Sequence, residues 1–349
     1  MIIKKYNGMN VEINKQFELI SAFHAVLLLK HPELKDSLDF VETPNNEYMQ
    51  ELVNLINPDN YPKIIKYIMN FTDESVHVDI AVSMNDSYEI DNSKAKLDTI
   101  SQNIKYGTAE DFSKEIKKLA DDIKWDEFFE NHRKTYEKFV DEVCIFPKEL
   151  ELNDIENYYS VKATSYTFIP SMLINGGFGP SDGKGNLYYF RGFRYDEKKK
   201  EFLYDNEYIM ECLFHEFSHP IVNPLVDKYL CKSEELDSFY ELSKRNNLHP
   251  AYSGHKETVM YEYLVRANAY ILTSKYFEDI EPIENDWIIE HGFTFLPELV
   301  KFTKENKHKF KTYEEFVEKA IPIFMKTCIE TSMKQEDNTN KRKRKQWKV

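Results

Sequence analysis

Apolar residues recur at helical intervals from Ile13 to Leu29, with Phe17, Ile20 and Leu27 among them, and again over Tyr48 to Ile56 and Tyr61 to Met69. That spacing puts apolar side chains on one face, so the opening region is expected to be helical. Another helix is predicted from about Trp125 to Val143, where Phe128, Phe129, Tyr136, Phe139 and Val140 mark a buried stripe before a break at Pro147. Between Tyr158 and Tyr195 the period changes. Tyr166, Thr167, Phe168 and Ile169 are β-branched or aromatic, and they lead into a loop holding Gly176, Gly177, Gly179, Gly183 and Gly185. The run N-L-Y-Y-F-R-G-F at 186–193 reads as a second strand, paired with the first in a small antiparallel or mixed sheet. Helix returns at Glu207 and dominates to about Ser332. With no internal repeat, the expected fold is α+β and mostly helical. A helical region at 1–150 runs on into a catalytic region at 151–333, and a tail at 334–349 is expected to be solvated and disordered.

The candidate chemistry lies in the helical second half. Residues 215–219 read H-E-F-S-H, and a helix places positions four apart on one face, so His215 and His219 can reach a single ion. Glu216 follows the first histidine, where it can take a proton from a water activated by that ion without itself being a ligand. Tyr208, Ile209, Met210, Leu213, Phe214 and Phe217 make the surrounding helix apolar. Two imidazoles and a carboxylate buried there need partners, and a shared zinc ion satisfies all three. Pro220 lacks an amide hydrogen and Pro224 follows it, so the helix is expected to end or bend at His219.

Catalytic zinc takes a third protein ligand and keeps one place for water. The metzincin spacing needs glycine at 222 and histidine at 225, whereas this chain has Val222 and Leu225. Cys212 lies seven residues before His219 and reads as a packed thiol. Farther on, the apolar-rich stretch 257–276 carries Glu262 deep inside it, and this carboxylate is the leading third ligand. Arg266, four residues on, offers an ion pair that satisfies Glu262 without metal or supports it beside one. Glu257 and His255, at the start of the same helix, are the other candidates. For a donor to a developing oxyanion we single out Tyr252, in the turn before this helix, with Tyr189, His249 and His255 as competitors.

Composition narrows the partners. The net charge of -14, from 60 acidic against 46 basic side chains, argues against nucleic acid and anionic lipid. Positive charge is concentrated only in Lys341, Arg342, Lys343, Arg344 and Lys345. The four cysteines, Cys144, Cys212, Cys231 and Cys328, have no C-x-x-C spacing, so reduced, packed thiols are expected rather than disulfides or a thiolate zinc site. No secretion signal or spanning segment is visible, and a soluble cytoplasmic protein is expected.

The run H-E-F-S-H-P-I-V-N-P at 215–224, with E-Y-L-V-R-A at 262–267, resembles a bacterial family known as domain of unknown function 4932 and regarded as gluzincin-like zinc metallopeptidases. V-E-I-N-K-Q-F-E-L-I at 11–20, F-F-E-N-H-R-K-T-Y at 128–136 and G-G-F-G-P at 176–180 extend the likeness. The resemblance implies a zincin-like fold, His215, His219 and Glu262 as zinc ligands, and Glu216 as catalytic base. Thermolysin-like enzymes place the glutamate nearer, around Phe239. The expected activity is hydrolysis of peptide bonds in a peptide or protein substrate, with the 186–193 strand as an edge that pairs with extended substrate. The alternatives are an inactive zinc-binding scaffold and a hydrolase of non-peptide amides.

Overall fold

A computed structural model describes residues 2–72, 75–92, 103–180, 182–252, 254–277 and 290–346, with the side chains of 2, 206, 251 and 335–346 left aside. The chain is about 59% helical with a small mixed sheet, which makes it α+β. The strands are β1 (Ile2–Tyr6), β2 (Met9–Glu12), β3 (Ser165–Ser171), β4 (Gly177–Phe178), β5 (Asn186–Gly192), β6 (Tyr195–Asp196) and β7 (Glu201–Phe202). Helices of the first half are α1 (Lys15–Lys30), α2 (Glu47–Leu55), α3 (Pro62–Ile68), α4 (Val76–Ser83), α5 (Ala109–Asp122), α6 (Trp125–Asn131) and α7 (Arg133–Val143). Then come α8 (Asn153–Tyr159), α9 (Asn206–Tyr229), α10 (Glu234–Arg245), α11 (Lys256–Thr273), α12 (Leu296–Asn306), α13 (Tyr313–Lys319) and α14 (Ile321–Gln346).

Two compact units result. The first comprises Met1–Leu152 and Lys162–Cys212, and the second Asn153–Val161 and Leu213–Val349. The strands and glycine loop therefore cluster with the N-terminal helices rather than with H-E-F-S-H.

In the first unit, α1 is capped by Asn14, whose side chain accepts from the Phe17 amide, and is buried continuously from Gln16 to Leu27. A helix buried on every side belongs in a core, and α1 packs against α2, α4, α5 and α6. The sheet order is β1-β2-β3-β5-β4. β1 and β2 form an N-terminal hairpin that the helical reading of this region omitted; Asn7 and Gly8 turn it with φ of 45° and 87°. Asn-Gly is the pair that tolerates such a turn. β3 and β5 run parallel, not antiparallel, in register from Ser165 opposite Asn186 to Ser171 opposite Gly192. Residues 172–185 are long enough to return the chain to the same end of the sheet, as parallel neighbours require. β5 is also not a free edge, since β4 pairs antiparallel with it at Phe190 and Arg191.

The stretch expected as one helix from Trp125 is broken at His132, where ψ is 7° and the ring Nδ1 lies 2.8 Å from the Phe128 carbonyl. The His132 amide donates to the same carbonyl at 3.2 Å, so ring and backbone share one acceptor at the break. At the other end, the segment from 334, expected as a disordered tail, carries helical backbone to Gln346, in keeping with its many Lys, Arg and Gln residues. Of the cysteines, Cys144 and Cys328 are buried and Cys212 and Cys231 half-buried, and none is in a disulfide. Among the described residues no helix is long and apolar enough to cross a membrane.

The second unit is helical. α11 packs on α10 and α12, and α14 on α10 and α13. Phe239 meets Tyr263 edge to face at 5.2 Å inside this core, so the position where a thermolysin-like glutamate would stand is filled by an apolar ring.

Candidate metal centre

The helix that carries H-E-F-S-H does not end at His219. It continues through Pro220 and Pro224 to Tyr229. Each proline deprives the carbonyl four residues back, Glu216 or Pro220, of its donor, at about 3 kcal/mol in a helix interior. Val222, between the prolines, and Val226 and Leu230 beyond them are fully buried, and each such side chain contributes about 2 kcal/mol, which offsets the loss.

One turn apart on α9, the rings of His215 and His219 meet edge to face with centroids 4.7 Å apart and planes at 80°. Their Nε2 atoms face each other at 3.0 Å. The Glu216 carboxylate lies within 4.8 Å of both donors and is nearly buried. Behind His219, one turn farther along, Asn223 Oδ1 stands 3.2 Å from Nδ1. When Nδ1–H donates there, the lone pair of Nε2 is turned toward His215 and Glu216. Burial, followed by the nearby His219 and Arg266, pushes the His215 pKa well below the usual imidazole value. A neutral ring is the form that ligates.

Glu262 arrives from α11. Its Oε2 lies 3.7 Å from His215 Nε2 and its Oε1 3.6 Å from His219 Nε2. Of the three candidates on this helix it is the one brought to the imidazoles; Glu257 occupies the first turn and His255 is exposed at the N-cap. Tetrahedral zinc with bonds of about 2.05 Å needs ligand atoms about 3.3 Å apart, and spacings of 3.0, 3.6 and 3.7 Å bracket that value. Glu262 Oε2 is also buried without a hydrogen-bond partner. Its buried charge is met at Oε2 by the Arg266 guanidinium at 2.8 Å, while both carboxylate oxygens also face the imidazole nitrogens. The donor set of two imidazoles and one carboxylate thus fits a divalent ion.

Arg266 stands one turn after Glu262, and its Nη2 approaches Oε2 to 2.8 Å as an ion pair without hydrogen-bond geometry. The same Nη2 donates to the Tyr252 hydroxyl at 3.5 Å. Tyr252 closes a short 3-10 turn, Pro250–Tyr252, and packs against Phe293 with ring centroids 5.1 Å apart. It therefore adjoins the carboxylate through Arg266. Tyr189, its competitor, is fully buried in the first unit against Phe168. His249 is exposed beside His291 and Tyr252.

Two supporting residues escaped the sequence reading. Asn223 is spaced i,i+4 from His219, a signal hidden by the expectation that Pro220 stops the helix. Ser218, within the motif, accepts the Tyr159 hydroxyl proton at 2.6 Å and donates to the Phe214 carbonyl at 2.5 Å. This bond fastens α8 to the metal-site helix, and nothing in the spacing of residues 159 and 218 announces it.

Residues 69–323 match the family model described as Domain of unknown function (DUF4932), and the chain belongs to that family. No curated protein and no solved structure matches it.

Proposed function

We propose that this DUF4932 member is a zinc-dependent peptidase of gluzincin type with a zincin-like fold, in which His215, His219 and Glu262 hold the ion. The observation that carries the reading is the convergence of two imidazole nitrogens 3.0 Å apart with the carboxylate oxygens of Glu262 at 3.6 and 3.7 Å. Two imidazoles and a glutamate are a donor set of catalytic zinc that keeps an open position. The ion, when bound, supplies Lewis acidity toward a substrate carbonyl and toward water.

Glu216 is not needed as a ligand, and its carboxylate is close enough to the imidazoles to take the proton of the attacking water and pass it to the leaving amine. A site that only braced a scaffold would have no use for such a base. Asn223 orients His219, Arg266 orients Glu262, and Tyr252 is the hydroxyl we assign to the developing oxyanion.

The test compares wild type with Glu216→Gln for bound zinc and for cleavage of a peptide library. Retained zinc with turnover reduced by about a hundredfold or more is expected, the size of a lost general base. Equal turnover in the two proteins would remove Glu216 from the chemistry. Zinc in both proteins and cleavage in neither would point to the binding scaffold instead.

A further inference from the structure

Within the first unit, Arg191 lies on β5 with Pro170 opposite on β3 and Gly177 opposite on β4. Alternate residues of a strand share a face, so Tyr189 and Arg191 project to the same side. The start of α9 lies against that guanidinium: its Cζ is 5.0 Å from the centre of the Tyr208 ring, and the Cys212 thiol adjoins both groups. Arg191 Nε is buried with no hydrogen-bond partner.

The groups set against this charge are the phenols of Tyr189 and Tyr208 and the thiol of Cys212. Among the described residues Arg191 has no carboxylate in an ion pair. Side chains of those types ordinarily keep their protons at pH 7, so they orient the guanidinium without neutralising it. A half-buried guanidinium whose Nε is shut away without a hydrogen bond or a counter-charge is expensive. The Nε edge of a guanidinium presents two parallel N–H groups at the spacing of a pair of anion oxygens. Tyr208, whose ring lies over this guanidinium, is 53% exposed and brings a hydroxyl to the surface beside it.

We propose that Arg191, with Tyr208, forms a binding site for a small oxyanion, a carboxylate or a phosphoryl group, which supplies the missing negative charge. This assignment rests on residues of the first unit alone and is independent of the metal reading.

The experiment titrates acetate and inorganic phosphate separately into the purified full chain at constant ionic strength, followed by calorimetry. Saturable binding of at least one anion is expected, weakened at least tenfold in Arg191→Met and partly restored in Arg191→Lys. Tyr208→Phe, at an exposed position with little consequence for folding, is the second variant and is expected to weaken binding severalfold with an unchanged circular dichroism spectrum. His215→Ala separates this site from the metal centre and should bind the anion as wild type does. Acetate alone assigns a carboxylate, and phosphate alone a phosphoryl group. Absence of saturable binding by wild type, equal binding by Arg191→Met, or loss of binding in His215→Ala overturns the proposal.

Discussion

Arg266 approaches Glu262 Oε2 to 2.8 Å while the other oxygen of that carboxylate, Oε1, stands 3.6 Å from His219 Nε2. The carboxylate is thus gripped at one oxygen and presented at the other. An i,i+4 pair on a helix surface is usually worth a few tenths of a kcal/mol, so its consequence here lies in geometry rather than in stability. Glu262→Ala should lose bound zinc, whereas Glu257→Ala and His255→Ala should keep it. Arg266→Met should weaken zinc about 10–100-fold, the usual effect of removing a group that orients a ligand, and Arg266→Lys should recover part of it. Full zinc occupancy in Glu262→Ala, measured after exhaustive dialysis, would reassign the third ligand.

Tyr252 separates metal holding from catalysis. Its hydroxyl reaches the site through Arg266, accepting from Nη2. Tyr252→Phe should leave zinc content unchanged and lower kcat by about a hundredfold, as loss of an oxyanion donor does, with little change in KM. An unaltered kcat would return Tyr252 to a packing role against Phe293.

Tyr159 tests the fastening of the metal-site helix. Its hydroxyl is buried and donates to Ser218 Oγ, so Tyr159→Phe leaves that acceptor without its donor. Chemical denaturation should show a loss of about 1–2 kcal/mol. A change within the error of the fit would mean that the bond adds nothing to the hydroxyl's exchange with water.

Glu18 gives a pH dependence of opposite sign to the usual carboxylate. Burial in the core of the first unit raises its pKa from 4.5 to about 7, partly countered by hydrogen bonds from Tyr48 and Ser171. The folded chain therefore holds a proton that the unfolded chain has released. The contribution of this group is fully present below pH 4.5 and is lost as pH rises through about 7. Over that window the loss is on the order of 3 kcal/mol. Glu18→Gln lacks this loss, so its stability relative to wild type should rise between pH 4.5 and pH 7.5. A difference between the two proteins that stays flat across that range would show that Glu18 ionises normally in the fold.

The hairpin at Asn7 and Gly8 was legible in principle, because an Asn-Gly pair between two short runs is a local signal. The parallel pairing of β3 with β5 was not. A strand's composition records that it is buried, whereas the direction of its neighbour depends on how the chain between them returns. The break at His132 was likewise invisible to periodicity, since it falls at a single residue inside a run whose apolar positions keep their spacing.

Sequence by itself determined the two imidazoles and the glutamate between them, because positions four apart on a helix share a face whatever surrounds the helix. It also pointed to Glu262, inside a distant helix, as the leading third ligand, with Glu257 and His255 at that helix's start as the other candidates. Only the tertiary structure brought Glu262 rather than Glu257 or His255 to those imidazoles, carried α9 past Pro220 so that Asn223 could reach His219, and gave Arg191 no carboxylate ion pair among the described residues. Local patterns are fixed by bond geometry over one or two turns. Which side chains meet across tens of residues is decided by packing, where burying a few apolar groups outweighs the local preference of a proline.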